Sequence, residues 1–369
     1  MGADEFKKQL ESLTDRYSVY LNIPFCASPC GFCHYRENLT FIKSVPDSYV
    51  ELLLRQLCAI LPTLSTNKKL EAIHIGGGSP TLLNSFQWFK IINFLRQFTG
   101  DTHEIAIEVK PNEWSPRLLD YNFFNRFSLG VQSLESSVFK RWHRKSTSLN
   151  EIKNIIASIK GHHRENFINI DMLIDSEIDL SEIIQVGGLN AESICYYPDT
   201  TKNTLLDYKL FQSVIERVTK NLPEYSPCGD GEGFYIFTRS GSPHSYYASM
   251  DYELGLDVLG FGHMAQSFVG EKVFCSVYDG DKYCFECKSD NRHETNIACS
   301  LPVRVEKEYL ETYCKCFLPF VQKTGNYYFL PKSNMKSFYK HLGNAIKGQF
   351  LRSAFYGCTD PAVLDLDKE

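Results

Sequence analysis

Three cysteines on one short loop, Cys26, Cys30 and Cys33, stand in a C-x3-C-x2-C spacing directly after an alternating apolar segment, Val19 to Ile23. Three thiolates so placed can ligate three irons of a 4Fe-4S cube, whereas a cluster that only carries electrons normally takes four cysteines. The fourth iron is then open to bind something else. A zinc knuckle, a disulfide or buried structural thiols are the plainer uses of the same residues. Zinc asks for four tetrahedral ligands, and His34 is badly placed to share a metal with its neighbour Cys33. A second motif, Gly76-Gly77-Gly78-Ser79-Pro80-Thr81, ends the next apolar segment, Leu70 to Ile75. Consecutive glycines let a backbone approach a ligand with no Cβ in the way, and a bulged turn is their plainer use.

The elements that must position these motifs alternate. Strands are expected at Val19 to Ile23, Leu70 to Ile75, Glu104 to Val109, Phe127 to Val131, Ile168 to Ile174 and Ser193 to Tyr197. Helices are expected from Asp47 to Leu61, Ser85 to Phe98, Leu149 to Ile159 and Thr204 to Leu222, with an aromatic strand at Gly233 to Thr238. Six strands alternating with helices imply an α/β fold, a partial (β/α)6 TIM-like barrel with right-handed crossovers. In such a barrel functional groups sit at the C-terminal ends of the strands, where both motifs lie. The expected organisation is an arm at 1–17, a barrel at 18–225, an extension completing the core at 226–300 and a mainly helical region at 301–369.

A chain of 369 residues has room for one large domain with an appendage, or for two ordinary ones. With 43% hydrophobic and 22% charged residues its composition is that of a soluble globular protein. A net charge of −5 and the lack of a long Lys/Arg run give no reason to expect nucleic acid as a partner. Met1 to Arg16 is charged with no signal-like apolar core, and no apolar run has membrane-spanning length, so a cytoplasmic protein with no membrane partner is expected. Thirteen cysteines, an odd number in a large chain, fit reduced thiols and metal ligands better than a disulfide framework.

The cysteine spacing and the glycine turn one β/α unit later together resemble the radical S-adenosylmethionine (SAM) superfamily. That resemblance implies a 4Fe-4S cluster whose open iron chelates SAM and whose electron cleaves it to a 5′-deoxyadenosyl radical. Four motifs in order resemble one branch, the oxygen-independent coproporphyrinogen III oxidase family. They are Tyr20-Leu-Asn-Ile-Pro-Phe-Cys26, Gly76 to Thr81, Arg126-Phe-Ser128-Leu-Gly130-Val-Gln132-Ser133, and Leu259-Gly260-Phe261-Gly262.

By this resemblance Cys26, Cys30 and Cys33 hold the cluster, Tyr20 sits beside SAM, and Gly76, Gly77, Gly78 and Ser79 hold its amino group. Glu108 accepts from the ribose hydroxyls, Gln132, Ser133, Arg144 and Asp171 make further SAM contacts, and Gly260 and Gly262 lie where a second SAM would bind. Tyr35 stands where the oxidases carry another cysteine, and is expected to shape the substrate face with His34. The His-Asn-x-x-Tyr-Trp segment that the family's haem chaperones carry before the Leu-Gly-x-Gly turn is replaced by Ala248-Ser249-Met250-Asp251-Tyr252-Glu253, and Asp175-Ser-Glu replaces the family's usual Gly-Leu-Pro.

These departures favour methyl or methylene transfer, or C–C bond formation, on a small or carrier-bound metabolite with a second SAM. The alternatives are porphyrinogen decarboxylation or haem-related radical chemistry, and a non-catalytic haem or cluster carrier. A flavodoxin- or ferredoxin-type electron donor is implied. Cys284 and Cys287, with Cys275 nearby, form a weaker candidate metal site.

Overall fold

The computed structural model describes residues 2–33, 38–174, 179–198, 208–231, 234–243, 245, 256–301 and 305–342. Along the chain the main strands are β1 (Arg16–Ile23), β2 (Phe25–Cys26), β3 (Thr40–Phe41), β4 (Lys69–Gly77), β5 (Glu104–Val109), β6 (Arg126–Gln132), β7 (Phe167–Ile174), β8 (Ser193–Pro198), β9 (Tyr225–Gly231), β10 (Phe234–Arg239), β11 (Asp257–Phe261), β12 (Gln266–Val269), β13 (Lys272–Asp279) and β14 (Lys282–Ser289). All six expected strands form, as β1 and β4 to β8. The chain divides into two compact units, one of residues 1–30, 35–170 and 244–290, the other of 31–34, 171–243 and 291–369.

In the first unit the strand order is β14-β13-β12-β11-β1-β4-β5-β6, with β7 next to β6. The five central strands, β11, β1, β4, β5 and β6, run parallel. Helix α1 (Gly2–Gln9) precedes β1, and the connections that follow carry α2 (Asp47–Ile60), α3 (Ser85–Leu95), α4 (Arg117–Asp120), α5 (Ser136–Arg141) and α6 (Leu149–His162). α3 and α6 begin where Asn84 with Gln87, and Ser148 with Glu151, close reciprocal capping boxes.

Side chains alternate across a strand, so each strand contributes one residue set to each face. One face carries Leu21, Ile73, Ile75, Ile107, Leu129 and Phe261, all essentially inaccessible. Leu53 and Leu57 of α2 and Trp88 and Ile92 of α3 are buried with them, each such side chain contributing about 1.5–3 kcal/mol. The other face holds Tyr20, Asn22, His74, Gly76, Glu108, Ser128, Gly130 and Gln132. The register fixes that set, with Tyr20 opposite His74 and Gly260, Asn22 opposite Gly76, and Glu108 opposite Ser128.

In the second unit β10 lies between β8 and β9, antiparallel to both. Helices α7 (Leu180–Gly187) and α8 (Tyr208–Asn221) accompany them, and the expected helix start at Thr204 lies outside the described residues. The region from 292 combines helices Arg292–Ser300, Lys307–Tyr313 and Met335–His341 with a three-stranded antiparallel sheet from 305–306, 322–324 and 327–329. Leu310, Phe317, Phe338 and Leu342 form a buried cluster with Ile297 and Leu301. Tyr313 is exposed and stacks on His293, ring centres 4.0 Å apart. No helix among the described residues is long and apolar enough to cross a membrane.

Candidate active site

The C-terminal ends of β1, β4, β5 and β6 gather most of the residues singled out by sequence. Gly76, Gly77 and Gly78 are glycines because protein groups occupy the space a Cβ would need. A Cβ on Gly76 would collide with the Glu108 carboxylate, one on Gly77 with Asn22 Oδ1, and one on Gly78 with the Phe25 backbone. Gly77 also has φ +105°, a conformation side chains resist. The turn is stitched to the cysteine loop, since Gly78 N donates to Ile23 O at 2.9 Å and Ser79 N to Phe25 O at 2.7 Å. The glycines thus bring the loop and Glu108 together. Ser79 Oγ is buried with no hydrogen-bond partner among the described residues.

Glu108 is partly open, its side chain 39% exposed, yet both oxygens are held. His74 Nε2 donates to Oε1 at 2.9 Å and Gly77 N donates to Oε2 at 3.2 Å. The His74 ring lies over Tyr20, centres 5.8 Å apart and planes 24° from parallel. Tyr20 OH donates to Asn22 Oδ1 at 3.3 Å, and Asn22 Nδ2 donates to His263 O at 2.5 Å.

At the end of β6, Gln132 has φ 72°, an uncommon conformation for a residue with a side chain and a local strain of the kind that collects at working sites. A Cβ on Gly130 would stand 3.0 Å from Gln132 Nε2 and 3.4 Å from Arg144 Nη2, so both side chains cross the bare Gly130 backbone. Arg144 Nη2 donates to Gly130 O, and Nη1 reaches Cys30 Sγ at 4.0 Å. Ser133 is buried, and its Oγ accepts from Glu135 N at 3.1 Å, a turn-forming bond.

Cys26 and Cys30 are free and buried. Lys110 Nζ donates to Cys26 Sγ at 3.3 Å. Burial pushes the Cys26 thiol up, and the Lys110 charge and hydrogen bond pull it back toward the thiolate. Thiolates are the form that ligates iron, so two buried thiols faced by one lysine and one arginine suit an anionic cluster. Cys33 is half-buried, and belongs to the second unit. Asp171, also of the second unit, continues β7 two residues past Asn169 on the same face of that strand. Tyr35 and His34 lie outside the described residues.

Gly260 and Gly262 have packing reasons for being glycine. A Cβ on Gly260 would strike the Gln266 backbone, and Gly262, at φ +96°, lies against Asn22 O and Tyr49 OH. Gly262 N donates to Gln56 Oε1 at 2.9 Å, which also accepts from Tyr278 OH at 2.8 Å. Tyr278 N donates to His263 Nδ1 at 3.0 Å, and burial lowers the affinity of that imidazole for a second proton. Cys275, Cys284 and Cys287 lie on β13 and β14, and among the described residues no three His, Cys, Asp or Glu side chains are assembled for a metal ion.

Sequence reasoning missed His74 and Lys110. The signal for His74 was available as parity, since a polar residue two before Gly76 must share its face; Lys110, just past the end of β5, had none.

Residues 21–186 match the radical SAM superfamily. Within that class it is similar to the heme chaperone HemW of Buchnera aphidicola, 29% identical over 219 residues, which are 56% of this chain and 56% of the chaperone. It is also similar to the oxygen-independent coproporphyrinogen III oxidase of Escherichia coli strain K12, 33% identical over 165 residues, 42% of this chain and 35% of the oxidase. The chain thus matches about half of the chaperone's length and about a third of the oxidase's. Among solved structures, the coproporphyrinogen III oxidase HemN from Escherichia coli superposes with a TM-score of 0.65 at 17% identity, covering 98% of this chain and 94% of that one. The two share a fold.

Proposed function

We propose that the chain is a radical SAM enzyme whose Cys26, Cys30 and Cys33 hold a 4Fe-4S cluster, and that it acts on a tetrapyrrole-related compound. The observation that carries the first part is the column of Tyr20, Glu108 and Gln132 on one face of parallel strands, ending at Cys26 and Cys30 with Lys110 and Arg144 on their sulfurs. When bound, the cluster supplies the electron that cleaves SAM to methionine and a 5′-deoxyadenosyl radical. The chain's own residues hold and orient the cofactor. Glu108 accepts hydrogen bonds from the ribose hydroxyls, and the Gly76–Gly78 backbone with Ser79 takes the amino group. Gln132, Arg144 and Asp171 make the remaining polar contacts, and Tyr20 covers the adenosyl side. Arg144 and Lys110 offset the negative charge of the thiolates.

Tetrapyrrole chemistry is favoured because the relatives above are, by name, a coproporphyrinogen oxidase and a heme chaperone. Methyl or methylene transfer with a second SAM, the reading the lost porphyrin signatures suggest, has no counterpart in those relatives. Gly260 and Gly262, expected at that second site, are accounted for by backbone packing. A flavodoxin- or ferredoxin-type protein is proposed as electron donor.

Anaerobic turnover of the reconstituted protein with SAM, dithionite and coproporphyrinogen III tests the substrate class. Formation of 5′-deoxyadenosine above the substrate-free level, with loss of carboxylate from the tetrapyrrole, is expected. Tight stoichiometric haem binding with no turnover would point to carriage instead. Label from methyl-labelled SAM appearing in a product would return methyl transfer to first place.

A further inference from the structure

The carboxylate of Glu108 is held in an unusual way for a group this open. Its side chain is 39% exposed, while that of its partner His74 is 18% exposed. An exposed glutamate normally samples several rotamers and turns its carboxylate freely. Here each oxygen has one fixed donor, His74 Nε2 on Oε1 at 2.9 Å and Gly77 N on Oε2 at 3.2 Å. A carboxylate only accepts, so His74 Nε2 carries the proton of this bond. Two bonds on different oxygens fix the carboxylate plane as well as its place.

A carboxylate has about four acceptor positions, two on each oxygen. The His74 and Gly77 bonds take one on each, leaving one on each. One remaining acceptor position on each oxygen of a fixed carboxylate can take two neighbouring hydroxyls, a vicinal diol. His74 is itself held, since its ring stacks on Tyr20 across the β1–β4 pairing, where the two residues stand directly opposite. The missing Cβ of Gly76, the next residue on this face of β4, is what lets the carboxylate lie close against the strand.

We propose that His74 is a positioning residue, which locks the Glu108 carboxylate in the orientation that takes a ribose 2′,3′-diol. The inference rests on the radical SAM reading of the site and deepens it. His74 does not touch the reacting atoms. Its role is to make Glu108 discriminate nucleosides that have both hydroxyls from those that lack one.

The test is equilibrium binding of S-adenosylhomocysteine and of its 2′-deoxy analogue to the cluster-reconstituted protein, for wild type, His74→Leu, His74→Gln, Glu108→Gln and the double variant His74→Leu/Glu108→Gln. His74→Leu is expected to weaken S-adenosylhomocysteine binding about tenfold, the scale of a lost hydrogen bond to a charged group. It should leave affinity for the 2′-deoxy analogue within about twofold of wild type, on the same scale. His74→Gln, which keeps a donor, should recover most of the loss. In the Glu108→Gln background His74→Leu should add little, because two residues acting through one group are not additive.

Equal losses for both ligands would mark a general packing role and overturn the inference, as would an unchanged affinity in His74→Leu. A wild-type protein that binds neither ligand would overturn the inference together with the radical SAM reading beneath it. Wild-type discrimination unaffected by His74→Leu would overturn the inference alone.

Discussion

The two ends of the parallel strands in the first unit are built from opposite materials. At the N-terminal ends, polar side chains are spent on one another. Buried Glu71 pairs with Arg16 at 2.7 Å, Lys69 at 3.4 Å and His103 at 3.2 Å. Glu104 pairs with Arg126 at 3.7 Å and accepts from Ser245 Oγ at 2.9 Å. Buried Asp257 accepts from Thr14 N at 2.9 Å and Gly270 N at 3.0 Å, tying the start of the chain to β11. At the C-terminal ends the backbone is exceptional, with Gly77, Gly262 and Gln132 all at positive φ. There Glu108 is partly open, Lys110 pairs with Glu113 at 3.9 Å and reaches Cys26 Sγ, and Arg144 reaches Cys30 Sγ. One end ties polar side chains to one another, and the other sets charged groups beside the cysteines.

If that contrast is right, changes at the two ends fail in different ways. The largest effect is expected from Gly78→Val. Its side chain would overlap the Phe25 backbone, and forcing that contact costs about 1–3 kcal/mol or more while pushing the cysteine loop away. Iron uptake on reconstitution should be lost before the fold is, as read by iron content beside circular dichroism. Retention of full iron loading would break the link between the turn and the loop.

Glu71→Gln should do the reverse. Burial raises the Glu71 carboxyl, but the hydrogen bonds and charges of Arg16 and Lys69 outweigh it and hold the group below the ordinary glutamate value. A folded-state pKa below the unfolded one adds stability that is complete above the ordinary value near ~4.3 and lost as the pH falls through the depressed one. The variant should therefore be about 1–3 kcal/mol less stable at neutral pH by urea unfolding, with the gap closing in acid. Its iron content should match wild type, and a comparable drop in iron would erase the distinction between the ends.

The smallest effect concerns one thiol. Lys110→Met removes the groups that counter burial at Cys26, so its pKa should rise and less thiolate should be present at a given pH. Alkylation of Cys26 in cluster-free protein at mildly alkaline pH should slow about severalfold, by peptide mass mapping. An unchanged rate would show that Lys110 does not act on that sulfur.

Much of this was legible in the sequence because alternation and glycine punctuation are strong signals. The strands at Val19, Leu70, Glu104, Phe127, Ile168 and Ser193 all form, and Glu108 and Gln132 fall on the face that the motifs imply. What stayed hidden depended on register between distant strands. Nothing local to His74 says that it lies opposite Tyr20, or that Asn22 fills the space left by Gly77. The glycines were read as room for a ligand, and in the structure their Cβ positions also meet Glu108, Asn22 and Phe25. The small sheet in the C-terminal region was missed because its strands are two or three residues long. Its one clear cue was the two-residue Gly325-Asn326 loop, with Gly325 at φ +58° and Thr324 paired to Tyr327.

The central claim, that Cys26, Cys30 and Cys33 build a SAM-cleaving cluster, is tested most directly by anaerobic reconstitution followed by reduction with SAM present. The account predicts about four irons per chain and formation of 5′-deoxyadenosine, both lost in Cys30→Ala. A protein that takes up no iron, or that holds a cluster yet never cleaves SAM, would contradict it.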